Sequence, residues 1–196
     1  MYYRPDPFHL MPTNMKPKAT KPALKGAKLY AAARRIAELA HRGQRRKGAD
    51  KRPYIAHCQD VVGLMPEGDW TLRAVAILHD AIEDTTKKPT RGSAVHLRSR
   101  GPYRVTAETL REDGIPEDVI AGVDAMTKPK GANYLRYVRT KVLPNDLARK
   151  VKIADNYVNL RDRLRALIGG DLSKADRKHA LGKVRDYLGS LRLLVK

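Results

Sequence analysis

After residue 24 the apolar positions of this chain recur at three- and four-residue spacing, and nowhere do they alternate as in a half-buried strand. Residues 24–42, "LKGAKLYAAARRIAELAHR", place Leu29, Ala32, Ala33, Ile36, Leu39 and Ala40 on one face of a first helix. A second helix is predicted to open at Pro53, whose fixed φ suits a first helical turn, and to run to about Met65. Residues 69–85, "DWTLRAVAILHDAIEDT", read as one continuous third helix with Asp69 as N-cap. Its run 74–78 is apolar nearly all round, which makes this helix central. Two short helices follow, 106–112 and 116–126, separated by the stop signal "DGIP". "ANYLRYVRTKVL" and "NDLARKVKIADNYVNLRDRLRALI" form two more, joined at Pro144. The last helix spans 173–194, with Ser173 as N-cap and Leu181, Val184, Leu188, Leu191 and Leu194 as its apolar stripe. The fold class is all-α, a single-domain helical bundle.

Two stretches escape the pattern. Residues 1–23 hold five prolines and several lysines without periodicity, and read as an extended or disordered basic tail ahead of a domain at 24–196. Residues 85–105 read as a long basic loop, with six Lys or Arg between Lys87 and Arg104 and no acid. A loop of that length is either a spare solvated segment or a phosphate-gripping flap. The 196 residues suffice for one domain with a sizeable core. No apolar run reaches the length of a membrane span, and the single cysteine, Cys58, excludes an internal disulfide framework and fits a reducing cytoplasm. A formal net charge of +19 points to phosphate-bearing partners, whether nucleic acid or a small nucleotide.

The chemistry gathers where the third helix ends. His79 and Glu83 are four residues apart, as are Asp80 and Asp84, so each pair shares a helix face. These acids are expected at the helix C-terminus, where the dipole disfavours them, and a bound cation would compensate. Read alone, the cluster is either a charged helix end or a metal site. Asp155 and Asn159 lie one turn apart beside the apolar stripe of Leu147, Val151, Ala154 and Val158, and His57 sits on the second helix. Each has an ordinary structural reading by itself. Two imidazoles and two carboxylates together would suit a hard-to-borderline divalent ion better than a structural zinc.

The ordered blocks "HRGQRRKGADKRPYIAH", "AVAILHDAIEDT" and "VKIADNYVNLRD" resemble the HD-domain hydrolases of the RelA/SpoT type, above all the stand-alone small alarmone hydrolases. The similarity covers roughly residues 27–165 and implies an HD-type bundle with the long basic loop inserted after the His-Asp-x-x-Glu-Asp helix. By that resemblance His57, His79, Asp80 and Asp155 are Mn²⁺ ligands, and Glu83 and Asp84 are the catalytic acidic pair. Arg46 packs against a guanine base, Lys47 lies near the substrate, Asn159 contacts the ribose, and Tyr54 and Lys152 belong to the substrate site. The implied reaction removes the 3′-pyrophosphate of (p)ppGpp to leave GDP or GTP. Too few residues follow Arg165 for an alarmone synthetase, so the last helix is expected to complete the bundle or form an oligomer contact, its basic residues being a solvated face.

Two other readings stay open at the level of sequence. The same chemistry could serve another 3′-phosphorylated substrate, such as NADPH or 3′-pyrophosphorylated tRNA, and the +19 charge favours RNA more than it would in a neutral chain. Alternatively, a basic nucleic-acid-binding protein could use an inactive HD scaffold. An aromatic content of 6% gives little support to a base-stacking platform. The pattern leaves the oligomeric state open.

Overall fold

A computed structural model describes residues 21–46, 51–87, 104–170 and 172–196. Lys47, most of the basic tail, and residues 88–103 of the basic loop, His96 included, lie outside the described residues. Among the described residues nine α-helices follow one another: α1 (Gly26–Ala40), α2 (Tyr54–Val62), α3 (Trp70–Leu78), α4 (Ala81–Lys87), α5 (Ala107–Glu112), α6 (Glu117–Met126), α7 (Tyr134–Tyr137), α8 (Asp146–Ile168) and α9 (Lys174–Leu194). A π-helical turn, Val138–Val142, continues α7. Among the described residues the only extended pairing is a single antiparallel bridge between Arg45 and Pro53.

The predicted caps are in place. Asp69 accepts from the Leu72 amide at 3.0 Å and Ser173 from the Asp176 amide at 3.1 Å. Pro53 is the residue before α2 and not its first helical residue, with ψ of 139°. The helix α3 is central: it packs against α1, α2, α6 and α8, and Ala74 to Leu78 are wholly buried. Gly122 on α6 permits its close crossing with α3, since a Cβ there would lie 3.0 Å from Val75.

The third helix is not continuous as predicted, but breaks at His79–Asp80 into α3 and α4. The imidazole causes the break to be tolerated: His79 Nδ1–H donates to the Ala76 carbonyl at 2.8 Å, satisfying a group the helix would otherwise bond. The electrostatic expectation therefore reverses. Glu83 and Asp84 lie in the first turn of α4, where a helix dipole favours acids.

The apolar stripe of α9 also differs from prediction. Leu194 is buried as expected, but Leu181 and Leu188 are 49% and 43% exposed, whereas Ala180 and Ser190 are buried. A polar bond and a close approach choose this face: Ser190 Oγ accepts from Asn156 Nδ2 at 2.7 Å, and Gly189 lets Leu135 come within 3.2 Å of where a Cβ would be.

Candidate metal centre and catalytic pocket

His57 from α2, His79 from the α3–α4 break and Asp155 from α8 offer ligand atoms that all lie within 4.8 Å of one another, and all three side chains are buried. His57 Nε2 is 3.1 Å from Asp155 Oδ1, and His79 Nε2 is 3.6 Å from the same oxygen. Asp80 Oδ2 completes the group, 3.0 Å from His79 Nε2 and 3.9 Å from His57 Nε2. Despite these separations, neither Nε2 atom makes a hydrogen bond of acceptable geometry. Buried polar atoms are seldom left so. The bond from His79 Nδ1–H to Ala76 fixes the ring so that Nε2 points toward the carboxylates. Unsatisfied imidazole nitrogens and carboxylates facing one centre fit a divalent cation. Neighbouring Cys58 adds no thiolate, because burial pushes its pKa well up.

Burial opposes charge throughout this centre, and local partners decide what prevails. It lowers the pKa of His57 in spite of Asp155, whereas Asp80 and Asp155 overcome it at His79 and hold that imidazole well above its usual range. Burial would raise both carboxylates, but His79 holds Asp80 down, and Lys152 with the two imidazoles holds Asp155 well below the ordinary range. The ammonium of Lys152 is 2.9 Å from Asp155 Oδ2 and sits over the rings of Tyr134 and Tyr137, at 5.7 and 5.9 Å from their centroids. Asn159 Nδ2 donates to the other Asp155 oxygen at 2.5 Å. Tyr54 donates to Asp80 at 2.7 Å, and its ring stacks on buried His41 at 4.9 Å between centroids.

Above the centre opens a cavity of about 570 Å³. It is lined by Arg46, Tyr54, Asp80, Glu83, Asp84, Lys152, Asp155 and Asn159, so eight of the eleven residues predicted from sequence meet on one surface. His57 and His79 lie wholly buried against it, and the eleventh, Lys47, is outside the described residues. Glu83 Oε2 accepts from the Lys128 amide at 2.8 Å, which anchors α4 to the chain leaving α6. Asp84 Oδ2 lies 3.7 Å from His41 Nδ1, which in turn is 2.9 Å from Gln44 Oε1.

Sequence reading missed part of this lining. Lys128, Tyr134, Tyr137, Arg163, Lys183 and Tyr187 all face the cavity, and so does Arg45. The signal for Arg163 was present, since it stands one turn beyond Asn159. The pair Lys183 and Tyr187, four apart on α9, shows that this helix does more than present a solvated face. The acids of the site are thus ringed by cations, an arrangement suited to a polyanion that approaches a metal.

Comparison with known proteins bears on which polyanion this is. No family model matches the chain. The guanosine-3′,5′-bis(diphosphate) 3′-pyrophosphohydrolase MESH1 of Xenopus tropicalis is 32% identical to it over 140 residues, covering 69% of this chain and 70% of that protein. The chain belongs to this hydrolase family. The solved structure described as "A metazoan ortholog of SpoT hydrolyzes ppGpp and plays a role in starvation responses" shares the fold, with a TM-score of 0.61 and 21% identity. That likeness covers 87% of this chain and 89% of the other, so it extends beyond the motif blocks. The His and Asp positions predicted from the sequence, His57, His79, Asp80 and Asp155, are the ones that converge here.

Proposed function

We propose that this protein hydrolyses the 3′-pyrophosphate of (p)ppGpp, giving GDP or GTP and pyrophosphate. Residues 24–196 act as one catalytic unit in the cytoplasm, on a small anionic nucleotide. The observation that carries the reading is the convergence of His57, His79, Asp80 and Asp155 beneath a cation-rimmed cavity that also holds Glu83 and Asp84. Membership of a family whose MESH1 relative is named for this reaction supports it.

The four side chains would hold a divalent ion, and the mixed nitrogen and oxygen donors suit Mn²⁺. When bound, such an ion supplies Lewis acidity toward a phosphoryl oxygen and toward water. The chain's own groups do the rest. Glu83, held by the Lys128 amide, and Asp84, beside His41, orient the attacking water and accept its proton. Water attacks the 3′ phosphorus, the bond to the ribose 3′ oxygen breaks, and that oxygen leaves with the nucleoside as a hydroxyl, taking up the proton that the water gave to the acidic pair. Arg46 faces the base and Asn159 the ribose, while Lys128, Arg163 and Lys183 offset phosphate charge at the cavity wall.

The test is direct. Purified protein with Mn²⁺ and ppGpp is expected to release GDP and pyrophosphate. Glu83→Gln is expected to lower kcat by roughly 10²- to 10⁴-fold, the usual worth of a positioned acid–base group, while the fold is retained. Metal-loaded protein inert toward ppGpp overturns the reading, and parallel assays with NADPH and 3′-pyrophosphorylated tRNA then identify the substrate.

A further inference from the structure

The proposed reaction gives no task to Arg52, Asp60, Arg161 or Asp162, yet these four form a half-buried ion network that ends on Arg46. Arg46 Nη2 donates to Asp162 Oδ2 at 3.0 Å and to Asn159 Oδ1 at 3.1 Å. The other Asp162 oxygen accepts from Nε and Nη2 of Arg161, at 3.1 and 3.0 Å. Arg161 reaches on to Asp60 at 2.7 Å, and Arg52 meets the same Asp60 oxygen at 2.6 Å. The backbone closes the circuit, because the Arg46 amide donates to the Arg52 carbonyl at 3.0 Å. Three elements are thereby joined: the loop carrying Arg46 and Arg52, α2 through Asp60, and α8 through Arg161 and Asp162.

An isolated surface ion pair fixes little. This one is different in geometry and burial. The Asp162 side chain is 23% exposed and Arg46 only 15%, and each carboxylate receives more than one donor. Burial works to raise the pKa of Asp60, yet Arg52 and Arg161 bring it below its ordinary value. The consequence for Arg46 is specific. One edge of its guanidinium is taken by Asp162 and Asn159, and its Cζ lies 5.7 Å from the Tyr54 ring centroid. What remains for the cavity is a flat cation already fixed in orientation. An arginine without such partners must give up its rotamer freedom when it orders against a substrate.

We propose that Asp162, braced by Arg161 and Asp60, is a positioning residue that fixes Arg46 as a plate against which the substrate's nucleobase stacks. It sets affinity for the base-bearing substrate and takes no part in bond cleavage. This rests on the reading of Arg46 given above, so the experiment has a turnover arm and a binding arm.

In the turnover arm, Asp162→Asn is expected to raise KM for ppGpp about tenfold, the size of one charge-assisted hydrogen bond, with kcat within about twofold of wild type. Arg46→Ala raises KM similarly, and the double variant is no worse than Arg46→Ala alone, because the two residues act through one interaction. Asp60→Asn, one step farther along the network, gives the same pattern at roughly threefold and serves if Asp162→Asn does not fold. In the binding arm, fluorescence titration with N-methylanthraniloyl-GDP shows the same ordering of affinities. Effects that add in the double variant, or a loss of kcat at unchanged KM, overturn the proposal. A wild-type protein without turnover overturns the functional reading, and the binding arm then still decides whether Asp162 acts through Arg46.

Discussion

Tyr54 holds Asp80 from one side while its own ring rests on His41, so a metal-ligand candidate is oriented by a hydroxyl that is itself fixed by stacking. Partners of this kind govern metal affinity almost as strongly as the ligands do. Tyr54→Phe keeps the ring and removes the hydroxyl; it is expected to weaken Mn²⁺ binding by about 10- to 100-fold, measured by calorimetric titration, with unchanged helical content. Unaltered affinity would show that Asp80 needs no such support. At this scale the sequence was informative through its motif blocks: spacing alone left each residue an ordinary structural reading, the resemblance grouped His57, His79, Asp80 and Asp155, and these four do meet. It was uninformative where a side chain's role depends on a distant turn of chain. Nothing in its local pattern pairs Lys128 with Glu83, 45 positions away, or sets Lys183 and Tyr187 over the pocket. Lys152 lines the pocket, yet its nearest charged partner is Asp155, a geometry that local spacing permits without requiring.

Among the elements, periodicity located every helix but could not see the interruption at His79–Asp80, because a continuous helix and a broken one present the same apolar pattern across 69–85. The side chain of His79 decides it, by bonding Ala76. A second side chain secures α4 after the break. Thr85 Oγ1 donates to the Ala81 carbonyl at 2.7 Å and accepts from the Val105 amide at 3.0 Å, so the two ends of the segment 86–104 are clasped beside Glu83 and Asp84. Thr85 is 3% exposed, and removing its oxygen leaves the Val105 amide buried without an acceptor. Thr85→Val therefore costs about 1–3 kcal/mol in denaturant unfolding, whereas Thr85→Ser keeps the hydroxyl and costs less. Because the clasp also fixes α4, Thr85→Val is expected to lower kcat for the proposed substrate as well. A valine variant as stable as the serine one would mean that the amide finds another acceptor.

For the whole molecule, the consecutive helices α2 and α3 meet the sequence-distant α8 at one small volume of like-charged carboxylates and unsatisfied imidazoles. The bundle's own packing must hold them there, and a cation would turn that tension into stabilisation. Apolar contacts join α2, α3 and α8 around the centre, and His57, His79 and Asp155 come one from each region. Periodicity made the fold readable, whereas this meeting was readable through the resemblance carried by the ordered motif blocks; the metal's contribution to stability was not, because it depends on concentration and not on pattern. A ligand that binds only the folded chain stabilises it by about 2.7 kcal/mol at a hundred times its Kd. For a protein of this size that corresponds to roughly 5–10 °C in Tm, so chelation of Mn²⁺-loaded protein is expected to lower Tm by that amount and re-addition to restore it. Asp155→Asn alone would confuse the result, because it strands the buried Lys152 ammonium and destabilises the chain with or without metal. The double variant Asp155→Asn/Lys152→Met removes both charges; it is expected to fold and to show a Tm indifferent to Mn²⁺. A wild-type Tm equally indifferent would mean that the four side chains are held by packing and ion pairing alone.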